Sequence, residues 1–161
     1  MSYTHFDQVS GKNGLGVGAK GSEIALFSGT GMAALPSQFI KGQKFVVGLP
    51  SFAAADIGVR FFVAPAPCKV ISATEVHSTV AGQAGTMKIE LLLTGDEPAN
   101  GNVCITTAFD LASTANTPVT VTDVIPTYQN LVAGSSLSTL LASGAATSLA
   151  GASLSVVMEW T

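Results

Sequence analysis

The sequence predicts an all-β protein, an antiparallel β-sandwich of the jelly-roll type preceded by an extended, glycine-rich N-terminal arm. Three observations predict it. Apolar and polar residues alternate at strand period, as where Leu154, Val156, Met158 and Trp160 interleave with Ser155, Val157 and Glu159. Clusters of turn-forming residues separate such segments, and no convincing helical pattern intervenes. Residues 124 to 158 carry no charged side chain, yet Ser, Thr and Gly break their apolar surface too often for a lipid-facing helix. They predict the closing strands of a sheet whose surface is polar but uncharged, as in proteins packed against others.

Residues 1–58 read as the arm. Its many glycines leave only short apolar runs, Ile24 to Phe27 and Phe45 to Val47, enough for a few short strands. Phe6, Phe27, Phe39, Phe45 and Phe52 give it five aromatic anchors, so it docks onto something, either its own domain or a neighbouring subunit. Residues 59–161 read as the sandwich. Val59 to Val63 and Lys69 to Val80 are strand-like. Met87, Ile89, Leu91 and Leu93 alternate with Lys88, Glu90 and Thr94, apart from Leu92. Residues 95–102, Gly-Asp-Glu-Pro-Ala-Asn-Gly-Asn, form a turn cluster. Val103 to Leu111, Pro118 to Val124, Leu131 to Leu141 and Ala152 to Trp160 complete the set, which favours a sandwich over other β architectures.

Composition narrows the function. Apolar residues make up 47% of the 161 and charged residues only 11%, which argues against disorder and favours association. All seven basic residues lie at or before Lys88, with four acids among them; beyond it come six acids and no base. The first part is suited to an acidic surface, whereas the second is not a nucleic-acid binder. No membrane partner is expected. Cys68 and Cys104 lack metal-ligand spacing and sit among apolar neighbours, so they read as buried free thiols. The N-terminal residues have neither a basic nor an apolar leader region, so synthesis in a cytoplasm is expected.

Motifs with chemical meaning are weak. Gly16 to Gly21 matches GxGxxG, but polar residues precede it and short strand-like ones follow, where a dinucleotide site needs a buried strand and a helix. His5 and His77 are the only histidines, and no GxSxG elbow accompanies them. Alternation puts His77 on one face with Glu75 and Thr79, expected to be exposed; two such ligands do not make a metal site. Asp96 and Glu97, with Asn100 and Asn102, read as a solvated turn in preference to calcium ligands. Arg60, the only arginine, either contacts a partner carboxylate or caps the sheet edge. No catalytic, cofactor or metal residue is expected, and the chain does not read as an enzyme.

Four segments resemble one family. Gly14 to Glu23 resembles a GLYVGxKGSE element near the start of small structural proteins of tailed bacteriophages. Phe109-Asp110-Leu111 followed by Thr114 to Thr117 resembles their FDL…TANT stretch, and residues 131–137 and 149–156 resemble their LxAGDxL and LAGxxVTV elements. The order along the chain agrees. The family is that of capsid decoration (cement) proteins, commonly β-sandwich or jelly-roll domains that trimerise on the outside of the expanded head. The resemblance implies a homotrimer that clamps capsomers of the major capsid protein, without catalysis. One departure is visible: Gly134-Ser135-Ser136-Leu137 replaces a frequent Gly-Asp-Arg-Leu, so any ion pair made there in relatives is absent.

The expected capsid or subunit contacts are Phe6, Leu15, Val17, Lys20, Glu23, Phe27 and Phe45, with Arg60 at the boundary. The rival expectation is a head-fibre or tail-tip module that binds host glycans. It is disfavoured because residues 95–102 and 112–118 hold no aromatic side chain on which a sugar would stack.

Overall fold

The structure, a computed structural model, describes residues 41–161 and, before them, the strands at 15–19, 22–28 and 31–34. By contact the chain divides into Met1–Lys41 and Gly42–Thr161. In the first unit β1 (Leu15–Ala19), β2 (Ser22–Ser28) and β3 (Gly31–Ala34) form an antiparallel sheet in that order. The Ile24 to Phe27 run lies within β2, as its β-prone residues dictate.

The second unit begins with β4 (Lys44–Phe52), a short 3-10 turn at Ala54–Asp56 and β5 (Arg60–Val63). Then come β6 (Cys68–Val76), β7 (Thr86–Leu92), β8 (Phe109–Asp110), β9 (Val119–Val121), β10 (Asn130–Leu131), β11 (Ser136–Ser143) and β12 (Ala152–Trp160). One sheet runs β10-β6-β12-β4, and β9 pairs with β6 as well. Because β10 meets Cys68 and Lys69 while β9 meets residues 73–75, the two share one edge of β6 end to end. The other sheet runs β5-β11-β7-β8. All pairings are antiparallel, and most connections cross between sheets, which makes this an all-β sandwich of the expected kind.

The core lies between the sheets. Alternation in β12 buries Ala152, Leu154, Val156 and Met158, and β6 buries Val70 and Ala73 beside them. Met87, Ile89 and Leu91 of β7, Leu137 of β11 and Phe109 of β8 close the core from the other sheet. Cys68 and Cys104 are buried and unpaired with each other. Removal from water pushes their thiols up to about 11 and about 12 respectively, so both are protonated at neutral pH.

Three expectations change, besides the expected strand Leu131 to Leu141, which is split between β10 and β11 in different sheets. The arm does not extend to residue 58, because β4 pairs along β12 and the division falls at Lys41/Gly42. Glycine and proline at positions 48 and 50 disguise β4 as arm; Gly48 is required because a Cβ there would lie 2.2 Å from the Leu154 carbonyl oxygen. Val103 to Leu111 is not one strand. It makes single bridges, Val103 to Glu90 and Ile105 to Val124, and pairs in a ladder only at Phe109–Asp110.

His77 is the third. It does share a face with Glu75, but that face is the core side: Glu75 is 0% and His77 1% exposed. The burial is tolerated because the two groups satisfy each other, with Nδ1 of His77 3.0 Å from Oε1 of Glu75.

Candidate interface

The expected contact residues separate into three groups. Leu15 and Val17 lie in β1 and Glu23 and Phe27 in β2; the backbone register sets Leu15 opposite Phe27, Val17 opposite Ala25 and Gly18 opposite Glu23. A bulge between Val17 and Gly18 shifts that register. The GxGxxG segment thus supplies a hairpin strand, with β2 rather than a helix after it. Phe6 and Lys20 lie outside the described residues.

Phe45 belongs to the sandwich. Its ring stacks on Trp160 with centroids 4.2 Å apart and planes at 21°, and meets Phe62 at 6.1 Å in a tilted arrangement. This aromatic group packs against the core beside Val47 and Leu49, which ties β4 to β5 and β12.

Arg60 is exposed on β5, an edge strand, and its guanidinium donates to the carbonyl of Asp96. It therefore fastens the turn after β7. The rest of that turn is held from within. Asp96 Oδ2 accepts from the Leu93 amide at 3.0 Å and the Asn100 side chain at 2.8 Å, and Asn100 Oδ1 accepts from the Asn102 amide. Beneath it Glu90 is fully buried, with Oε1 accepting from Ser138 Oγ at 2.6 Å and the Ala99 amide at 2.7 Å. Asp96 Oδ2 and Asn100 Oδ1 are thus engaged in the turn's own hydrogen bonds.

Two surfaces were not legible in the sequence. The first is β4, which among the described residues pairs with β12 on one side only, so alternate backbone groups along it face away from that sheet. Its outer face is a shallow trough formed by Val46, Gly48 and Pro50 with Ser153 and Ser155, and Val46 is 66% exposed. Lys44 is the one charge in the strand, and it lies opposite Glu159, which also meets Lys69 at 2.9 Å. Hydrogen bonding to Lys69, and more weakly its charge and that of Lys44, hold the Glu159 carboxyl below its ordinary range.

The second surface is one end of the β5-β11-β7 sheet. Val63 and Leu92 both pair with Ser136, and Gly134 donates to the carbonyl of Ala64. This gathers the exposed side chains of Val63, Leu93 and Val132 at that end. A hint lay in their positions at strand ends beside Pro65, Thr94 and Gly134, but alternation alone gives no sign of exposure there.

Among the described residues no helix is long and apolar enough to cross a membrane. No protein-family model matches the chain, and no curated protein does. Among solved structures it is similar to that of infectious bursal disease virus, Gx strain, with 20% identity and a TM-score of 0.34. That alignment covers 73% of this chain and 32% of the viral one. The VP2 subviral particle of the same virus gives 20% identity and a TM-score of 0.33, over 74% of this chain and 33% of that one. Its T13 particle gives 17% and 0.31, over 75% and 36%. The solved structures that it resembles are thus those of virus particles, and the chain spans about a third of the length of each.

Proposed function

We propose that this chain is a virion structural protein that binds the outside of a phage head and stabilises the shell by clamping adjacent capsomers. Its partners are the major capsid protein and further copies of itself, in a homotrimer, and it performs no catalysis. It is made in the host cytoplasm and carried on the capsid exterior.

The observation that carries the reading is β4. A strand with a packed inner face and an almost uncharged open edge offers backbone hydrogen bonds to another chain. The resemblance of Gly14 to Glu23 to decoration proteins supports it, since Leu15–Ala19 of that stretch forms β1 and Ser22 and Glu23 open β2. Charge supports it too. Residues 1–41 hold three lysines against two acids, whereas residues 42–161 hold eight acids against four bases. A mildly basic arm is suited to a neighbouring acidic sandwich or an acidic shell, and contacts repeated about a threefold axis gain by multivalency.

The reading is tested by sedimenting purified protein with phage heads that lack it. The full chain should co-sediment, and a chain lacking residues 1–30 should remain in the supernatant while retaining its β-sheet spectrum. Binding that survives the deletion would show that the arm is not the anchor, and no binding by the full chain would remove the proposal.

A further inference from the structure

Glu75 and His77 form a two-group cluster in the end of the core, with the segment 112–118 fastened to it. His77 Nδ1 lies 3.0 and 3.3 Å from the two carboxyl oxygens of Glu75, and Nε2 lies 3.2 Å from the Ser113 carbonyl oxygen. The Asn116 amide donates to the His77 carbonyl at 2.6 Å, with Asn116 in the left-handed region at φ 58°. One residue thus holds the segment through both its side chain and its backbone. The arrangement is not a hydrolytic triad, because Nε2 faces the serine carbonyl rather than its hydroxyl and the ring is 1% exposed.

The proton count decides when this fastening is satisfied. A carboxylate and a carbonyl both accept, so a charged imidazole with two N–H donors matches both. The same fit arises if the proton sits on Glu75 and is donated to Nδ1 while Nε2–H donates to Ser113. Either way the pair holds one proton. If that proton leaves, one ring nitrogen presents a lone pair to an oxygen, and the interaction turns repulsive.

We propose that the Glu75–His77 pair is a proton-operated latch for residues 112–118, closed when the pair holds its proton and loosened as pH rises. The surroundings do not substitute for that proton. β9 places Val119 opposite Glu75 and β12 places Leu154 there, while residues 111–118, β9 and β11 contain no ionisable side chain. On β8 Asp110 is exposed and accepts from the Ala112 amide. Lys88 and Glu90 alternate with the core residues of β7 and lie on its far face, and Arg60 of β5 is exposed. Lys44 is exposed on β4, Lys69 and Glu159 pair at the opposite end of β6, and Cys68 lies at that end too. Cys104 is the remaining core thiol, and burial keeps it protonated.

The sign follows from burial. Desolvation raises the Glu75 carboxyl above its ordinary value of 4.5, against the lowering effect of His77. A group whose affinity for its proton is raised by folding adds stability that is complete below its unfolded pKa and is lost as pH climbs through the folded one. Loosening therefore belongs to the alkaline side of the ordinary glutamate range.

The experiment is amide hydrogen exchange of Asn116, corrected for intrinsic rates, between pH about 5 and about 8. The proposal expects protection to fall about tenfold across that range, the scale of removing one buried hydrogen bond, while core amides such as Val156 hold theirs. Glu75→Gln is the decisive variant. Its amide donates permanently to Nδ1 and leaves Nε2–H for Ser113, so the latch should stay closed at every pH in the range. Flat protection in the unmodified protein, or the same fall in Glu75→Gln, would overturn the proposal. If that variant fails to fold, the nitrogen chemical shifts of the His77 ring in the unmodified protein decide. A ring that never loses a proton with rising pH, on its own or shared with Glu75, would also overturn it.

Discussion

At the scale of single residues the sandwich is tight in places that the sequence does not advertise. Gly48 sits opposite Ser155 of β12, and no side chain fits against the Leu154 carbonyl. Gly48→Ala is expected to destabilise by about 1–3 kcal/mol through backbone displacement, measured as a lower urea midpoint. Ser138→Ala removes the hydroxyl that donates to buried Glu90, which is expected to cost about 1–3 kcal/mol by the same measurement. The thiols give a chemical check. With both buried and held protonated, Cys68 and Cys104 should resist alkylation in the native protein and react fully in urea. Rapid native labelling of either would contradict the core described. Among residues able to carry chemistry, sequence alternation pairs Glu75 with His77 correctly. It does not say which side of the sheet they face, because their mutual hydrogen bond is what makes the inner side tolerable.

At the scale of elements, legibility followed regularity. β12 was readable because it alternates along most of its length, while β7 and β5 were readable as apolar runs near turn residues. β4 was hidden because Gly48 and Pro50 resemble loop residues, yet both suit a strand at a sheet edge. The stretch 103–111 misled for the opposite reason. Cys104, Ile105, Phe109 and Leu111 are buried, but the backbone bonds of the stretch are scattered: Cys104 donates to Ile89 and Thr106 to Asp123, while Ile125 donates to Cys104. Asp123 reinforces this by accepting from both the amide and the hydroxyl of Thr107, which holds its carboxyl below the ordinary range. Of the expected contact residues, Phe45 proves to stack on Trp160 within the sandwich. Because the core formed by the described residues lies within Gly42–Thr161, that segment made alone is expected to unfold in one cooperative transition. A melt without a transition would show that residues 1–41 complete the core.

At the scale of the whole molecule, the chain combines few charges, a packed sandwich and an open strand edge. A free monomer with such an edge risks uncontrolled pairing, and the usual defences are charge, proline or cover. Here Pro50 and Lys44 defend the two ends of β4, while Val46 and Gly48 between them carry neither defence. Under the proposed role that partner is a neighbouring copy or the shell, and each contact is weak until repeated around the particle. The most direct measurement is the copy number of this protein in purified virions, counted by quantitative mass spectrometry against the major capsid protein. The proposed role predicts a ratio near one to one, as for a protein spread across the shell. A few copies per particle would move it to a fibre or tail, and absence from particles would contradict a structural role in the virion.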